Sequence, residues 1–418
     1  MSFIGGINKS ILKISVMSEF YSPRTDRANM DQIEEFSGLR LLLAGDVPLS
    51  KLLDQLSREA VMYESLSNGE VQCFSCDHRC KIKPNGRGVC QVRFNLNGKL
   101  YAPYGYVAAL QCDPTEKKPF FHVHPGSNTL TFGMMGCNLH CAYCQNWDIS
   151  QTLRDSNAGR PPLEVTEKQL IELALNQGAK CVASSYNEPL ITSEWSRSVF
   201  IEAKKVGLTT MYVSNGNATA EVLEYIKPYT DAYKIDLKTM NEKNYRSLGT
   251  HRDKVLNGIR KVYEMGFWLE IVTLIIPGFN DSEAELKDAA QFIKSISPSI
   301  PWHVTAFHKD YRMQEQDDTS PSTLIRATEI GYSEGLHYVY PGNRPGGVGP
   351  YENTFCPGCK SKLIERIGYV VLNYHLNQTG DCPSCGMHIP GIWPKSKGEV
   401  VIGTPQDLFN RVPKTVRM

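Results

Sequence analysis

The chain has 418 residues, 41% apolar and 21% charged, with 45 Lys and Arg against 44 Asp and Glu. That length and apolar content support a sizeable core in more than one domain and exclude a disordered chain. A formal net charge of +1 supplies no electrostatic footprint for nucleic acid or an anionic membrane, so neither partner is indicated.

The first twenty residues lack the apolar run and small-residue cleavage site of a secretion signal. No later stretch approaches the roughly 18 apolar residues that span a bilayer. The expected location is the cytoplasm. There the thirteen cysteines are read as thiols or metal ligands rather than disulfides. Cys112 and Cys181 stand alone and read as small buried apolar residues; the other eleven form three groups.

Residues 1–72 are expected to form an N-terminal helical extension, with amphipathic text at Leu49, Leu52, Leu53 and Leu56. Over 73–128 the pattern turns to a small cysteine-rich module of turns and short strands, such as 91–94 and 100–101. It opens with Cys73-x2-Cys76-x3-Cys80-x9-Cys90 and has His78 inside. This set is read first as a structural zinc site, second as an auxiliary iron–sulfur cluster, and third as uncoordinated thiols.

From 129 to 345, strand-like runs alternate with helical ones, the mark of βα units around a parallel sheet. Strands are predicted at 129–133, 181–185, 209–213, 232–236, 269–275, 302–307 and 336–340. Thr166 and Gln169 form a capping box before a helix, and Ser282 opens another that ends before Pro298. Six or seven such units predict an α/β fold, a full or partial (β/α) TIM-like barrel. Its functional groups belong at the C-terminal strand ends. The Gly- and Pro-rich stretch 341–350 marks a boundary or a functional loop.

Residues 346–418 form a compact tail with Cys356-Pro-Gly-Cys359 and Cys382-Pro-Ser-Cys385. Two such knuckles make a closed tetrahedral site of the zinc-ribbon or rubredoxin kind. Zinc is favoured over a lone iron, although the ligand set is the same for both.

Directly after the first predicted barrel strand comes Cys137-x3-Cys141-x2-Cys144, with no fourth cysteine near. A cubane cluster is usually held by four thiolates, so a trio leaves one iron open to an exogenous ligand. The alternative is a zinc ion completed by His140. With Tyr143 between the last two cysteines, this loop resembles the radical S-adenosylmethionine superfamily. The resemblance implies a 4Fe-4S cluster whose open iron is chelated by S-adenosylmethionine, with Cys137, Cys141 and Cys144 as the catalytic ligands. It also implies reductive cleavage of the sulfonium to a 5′-deoxyadenosyl radical that abstracts hydrogen.

The strand ends supply the remaining candidates for binding that cofactor. Asn187 and Glu188 occupy the place of the superfamily segment that contacts the methionine amino group. Ser214, Asn215 and Asn217 offer hydroxyl and amide groups suited to a ribose. Asp236 and Lys238 resemble the Asp-Leu-Lys of glycyl-radical activating enzymes, although a structural ion pair is an equal reading. The resemblance sets Gly278 in a turn beside the adenine, Tyr143 against the adenine, and His308 where a histidine contacts the cofactor. His303 reads as a core histidine.

Cys76-x-His78-x-Cys80-x-Ile82, the stretch Asp113–Pro119, Gln145 to Ser150, Tyr186-Asn187-Glu188-Pro189 and the terminal knuckles together resemble the AmmeMemoRadiSam group. That group stands beside the pyruvate formate-lyase activating enzymes. The expected substrate is a protein or peptide, or a small molecule, with a one-electron donor such as ferredoxin or flavodoxin. The alternatives are cobalamin-dependent C-methylation of a protein residue, for which the Asp-x-His-x-x-Gly motif is absent, and a non-catalytic metal-binding module.

Overall fold

The computed structural model describes residues 47–407 and, as backbone alone, short strands at Glu35–Phe36, Leu39–Leu41 and Lys414–Thr415. Seven parallel strands follow one another across the main sheet: β1 (Asn128–Gly133), β2 (Cys181–Ser184), β3 (Thr209–Ser214), β4 (Ala232–Asp236), β5 (Trp268–Ile275), β6 (Trp302–Ala306) and β7 (Val339–Gly342). The antiparallel strand Ala109–Pro114 pairs with the free edge of β1, and Lys414–Thr415 pairs beyond it. Among the described residues β7 does not meet that edge, so the barrel is partial.

Six of the seven strands fall where the alternation predicts. The last is shifted from 336–340 to Val339–Gly342. Pro341 is tolerated inside it because β7 is an edge strand, where a missing N–H breaks no ladder. The helices between strands are set by local caps. Thr166 Oγ1 accepts from Gln169 N at 3.3 Å and Gln169 Oε1 accepts from Thr166 N at 2.9 Å, opening α1 (Glu167–Asn176). Ser282 caps a later helix, Glu283–Ile296, by accepting from Glu285 N.

The predicted helical extension over 1–72 lies mostly outside the described residues. Within its described part, a single helix, Leu49–Gln55, precedes short strands at Ser57–Glu59, Tyr63–Ser65 and Val71–Cys73. Ser57–Glu59 pairs antiparallel with Lys99–Pro103, and Val71–Cys73 with both Tyr63–Ser65 and Lys81–Ile82, so the sheets run across position 72. The strand expected at 91–94 starts instead at Phe94, because Gln91 turns through φ +68.

The segment Phe120–Val123 plugs the N-terminal end of the barrel, packing with Cys181, Ala183, Met211 and Ala232. Glu270 near the start of β5 accepts the Phe121 and His122 amides, both at 3.0 Å. It also accepts from Trp268 Nε1 at 3.0 Å and from His303 Nε2 at 2.6 Å, which makes His303 a satisfied core histidine as expected. The C-terminal module closes this end from outside: Arg366 Nη2 donates to Phe121 O at 2.8 Å and Ile392 N to His122 O at 2.7 Å. Its sheet consists of Thr354–Phe355, Lys362–Ile367 and Val370–Tyr374. Cys112 and Cys181 are buried apolar residues.

Candidate active site

At the opposite, C-terminal end of the strands lies a cavity of about 250 Å³. Cys137, Cys141 and Cys144 face it from the loop after β1. That loop is held against the N-terminal module. Arg154 Nη2 donates to Cys137 O at 2.7 Å and also to Val89 O, while its Nη1 donates to Leu139 O at 2.6 Å. Gly136 adopts φ +88, and a Cβ there would stand 2.7 Å from both Val92 methyls. The chain thus needs glycine here for both backbone and space.

Burial pushes the Cys137 thiol up to about 12, with the nearby Glu188 adding to it, and burial pushes Cys144 up to about 11. Such thiols are inert unless a metal takes their protons. The Cys137 sulfur accepts from Leu139 N at 3.5 Å, and that of Cys144 lies 3.1 Å from Ser150 Oγ. Among the described residues this trio does not gather within 4.8 Å, as ligands of a single ion would. Three sulfurs spread over one cavity suit a cluster in which each thiolate meets a different iron. His140 is exposed and absent from the cavity wall, its ring lying against Gly249. The zinc alternative therefore loses its fourth ligand.

Glu188 is 2% exposed and caps the turn Pro189–Thr192. Its Oε1 accepts from Leu190 N at 3.1 Å and Ser214 Oγ at 2.8 Å, and its Oε2 from Asn215 N at 2.7 Å. Burial raises this carboxyl to about 7 against the pull of those donors. The adjacent Asn187 accepts from Met134 N at 3.1 Å through Oδ1. Asn215 Nδ2 donates to Asn138 Oδ1 at 2.7 Å, joining the β3 end to the cysteine loop.

Asp236 stands between two ammonium groups, paired with Lys234 and, at 3.1 Å, with Lys238. Burial would raise its carboxyl, but the two lysines hold it down at about 2. Lys234 is a cavity residue that sequence reasoning missed, and its signal was a lysine inside an otherwise apolar strand. Asn343 in the Gly/Pro stretch also lines the cavity and donates to Ala306 O at 3.2 Å.

Of the predicted residues, Tyr143, Asn187, Glu188, Ser214, Asn215, Asp236 and Lys238 line this one cavity with the trio. Asn217, Gly278 and His308 do not. Asn217 is fully buried behind the rim, where its carbonyl accepts from Asp77 N. Gly278 makes a turn at φ +74 whose N–H donates to Asp281, while the neighbouring Phe279 ring meets Tyr143 at 5.8 Å. His308 is exposed, two residues beyond the end of β6 at Ala306, with its ring bonded to Lys309 O at 3.2 Å.

The four C-terminal cysteines bring all their sulfurs within 4.8 Å of one another. Cys356 to Cys385 and Cys359 to Cys382 are each 3.6 Å. Thiolates about 2.3 Å from a tetrahedral ion stand about 3.8 Å apart, so the set fits one metal ion. No helix among the described residues is long and apolar enough to cross a membrane.

Comparison with known proteins bears directly on the cavity. The model of the radical SAM superfamily matches residues 133–293. The chain is 35% identical over 335 residues to an uncharacterized protein of Methanocaldococcus jannaschii, covering 79% of this chain and 98% of that one. It is 26% identical over 200 residues to the pyruvate formate-lyase-activating enzyme of Staphylococcus aureus, 44% of this chain and 78% of that enzyme. Among solved structures, a radical SAM methyltransferase from Sphaerobacter thermophilus aligns at 12% identity and TM-score 0.42, over 74% of this chain and 82% of that one. Streptococcus suis SuiB bound to S-adenosylmethionine aligns at 16% identity and TM-score 0.41, over 56% and 54%. With a three-cysteine loop at the head of the cavity and relatives spanning the same residues, the chain belongs to the radical S-adenosylmethionine superfamily of enzymes.

Proposed function

We propose that Cys137, Cys141 and Cys144 hold a 4Fe-4S cluster and that the cavity beside them binds S-adenosylmethionine. When bound, this pair supplies one-electron cleavage of the sulfonium to methionine and a 5′-deoxyadenosyl radical. The observation that carries the reading is the trio's position on a cavity that also gathers the polar strand-end residues Glu188, Ser214, Asn215 and Asp236. Glu188 has four lone-pair sites and three donors, which leaves one for the cofactor's amino group. Ser214 and Asn215 are already ordered by Glu188 and present their remaining polar capacity to ribose hydroxyls. Asp236, Lys234 and Lys238 form a charged wall across from the cysteines that orients what enters.

The radical's target in this reading is a C–H of a protein or peptide, as the activating-enzyme homology favours. The electron comes from a ferredoxin- or flavodoxin-type donor in the cytoplasm. Zinc fills the closed C-terminal site, which serves to staple the barrel's lower end. Anaerobic reconstitution with iron and sulfide, followed by dithionite and S-adenosylmethionine, tests the reading. Formation of 5′-deoxyadenosine is expected, and its absence from protein with a full iron complement overturns it. The same assay with methyl-labelled cofactor and cobalamin reports the methylation alternative.

A further inference from the structure

The N-terminal cysteines lie outside the reading above. Cys73, Cys76, Cys80 and Cys90 line one small cavity, walled further by Ile82, Gly88, Arg93 and Ile191. They converge from three places: the end of strand Val71–Cys73, the turn at 76–80, and the loop at 88–90. Cys73, Cys76 and Cys90 are buried and Cys80 is partly exposed. Val89 N points at the Cys80 sulfur at 3.4 Å, as backbone amides do toward metal-bound thiolates.

The two four-cysteine sets of this chain differ in one measurable respect. The C-terminal sulfurs approach to 3.6 Å and all fall within 4.8 Å, while the N-terminal sulfurs do not gather so closely. A single zinc would draw every sulfur pair to about 3.8 Å. Four thiols that line one cavity yet stand wider apart than the ligands of a single ion suit a cubane, in which each holds its own iron. Spacing alone reads this set first as zinc; the wider separation of its sulfurs favours the cluster reading.

We propose that Cys73, Cys76, Cys80 and Cys90 ligate a second 4Fe-4S cluster, with every iron held by the protein. It neighbours the catalytic loop closely. His78 Nε2, between two of these cysteines, donates to Asn138 O at 2.9 Å, next to Cys137, and Arg154 bridges Val89 O to Cys137 O. A cluster with no open iron does not bind S-adenosylmethionine.

The test uses the full chain with Cys137, Cys141 and Cys144 all changed to Ala, reconstituted anaerobically with iron and sulfide. It should retain about four irons and four sulfides against about eight of each in the unaltered protein. Its reduced electron paramagnetic resonance signal should not move when S-adenosylmethionine is added. Changing Cys73 and Cys76 to Ala instead should halve the iron and leave a signal that responds to the cofactor. The proposal is overturned if the triple variant holds no iron–sulfur cluster, or if elemental analysis finds zinc lost with Cys73 and Cys76. Failure of the catalytic reading looks different: the unaltered protein would then hold about four irons, all kept in the triple variant.

Discussion

Gly136 and Val92 touch so closely that a Cβ on Gly136 would lie 2.7 Å from both Val92 methyls. The contact presses the N-terminal module onto the residue before Cys137. Gly136→Ala is expected to cost about 3 kcal/mol, from left-handed backbone strain and overpacking together. Adding Val92→Ala should recover the steric share and leave the strain. A denaturant series on the two variants checks this, and a double variant no more stable than Gly136→Ala would refute the contact's role.

Single replacement of Cys137, Cys141 or Cys144 by Ala should reduce 5′-deoxyadenosine formation to background. The metal-free forms should melt within about 3 °C of the unaltered protein, because the loop lies on the rim and not among the strands. Thermal scans of metal-free protein beside product analysis by mass spectrometry separate the two effects.

Asp236 keeps the buried Lys234 and half-buried Lys238 ammonium groups in place. Asp236→Asn should destabilise by about 2 kcal/mol, since removing one partner strands the charge of the others. Adding Lys234→Met should restore part of the loss. Equal stability of the single and double variants would show that Lys234 does not depend on Asp236.

His122 gives the fold a pH limit. Burial holds its imidazole down at about 4, with Glu270 pulling the other way. Pro390 O, 2.7 Å from Nδ1, can only accept, so Nδ1 carries the proton and Nε2 accepts from Tyr340 OH at 2.8 Å. The unfolded chain takes up a proton below about 6.5 and the folded one below about 4, so stability falls as pH drops through that window, on the order of 3 kcal/mol in full. His122→Gln should flatten this part of the profile. Chemical denaturation at intervals from pH 7 to 4 measures it, and parallel profiles for the two proteins would exclude His122 as the cause.

Cys356→Ser opens a closed site under the barrel. Loss of one ligand should release the bound metal and lower stability on the order of 3 kcal/mol, seen as a fall in Tm of about 5 °C or more. Elemental analysis should show zinc lost and iron unchanged. A variant that keeps both its metal and its melting temperature would count against the stapling role.

The barrel was legible because alternating apolar runs and capping residues such as Thr166 and Ser282 are local, period-bound signals. The strand-end rule points to Glu188, Ser214 and Asp236, since residue order along a βα unit dictates which end a loop occupies. It misses Lys234, because the rule inspects only the residues at a strand's end and Lys234 lies in the middle of β4. It also points to His308, which lies exposed two residues beyond the end of β6, outside the cavity wall.

Spacing along the chain carries the α/β alternation, the grouping of eleven cysteines and the family resemblance of the trio. The tertiary structure alone decided which thiols meet at one point and which spread around a cavity. It also decided that the N-terminal module seats against Gly136 while the C-terminal one closes the opposite end. Spacing limits how far apart two sulfurs can be, but their separation depends on how strands distant in sequence pack, which no local pattern encodes.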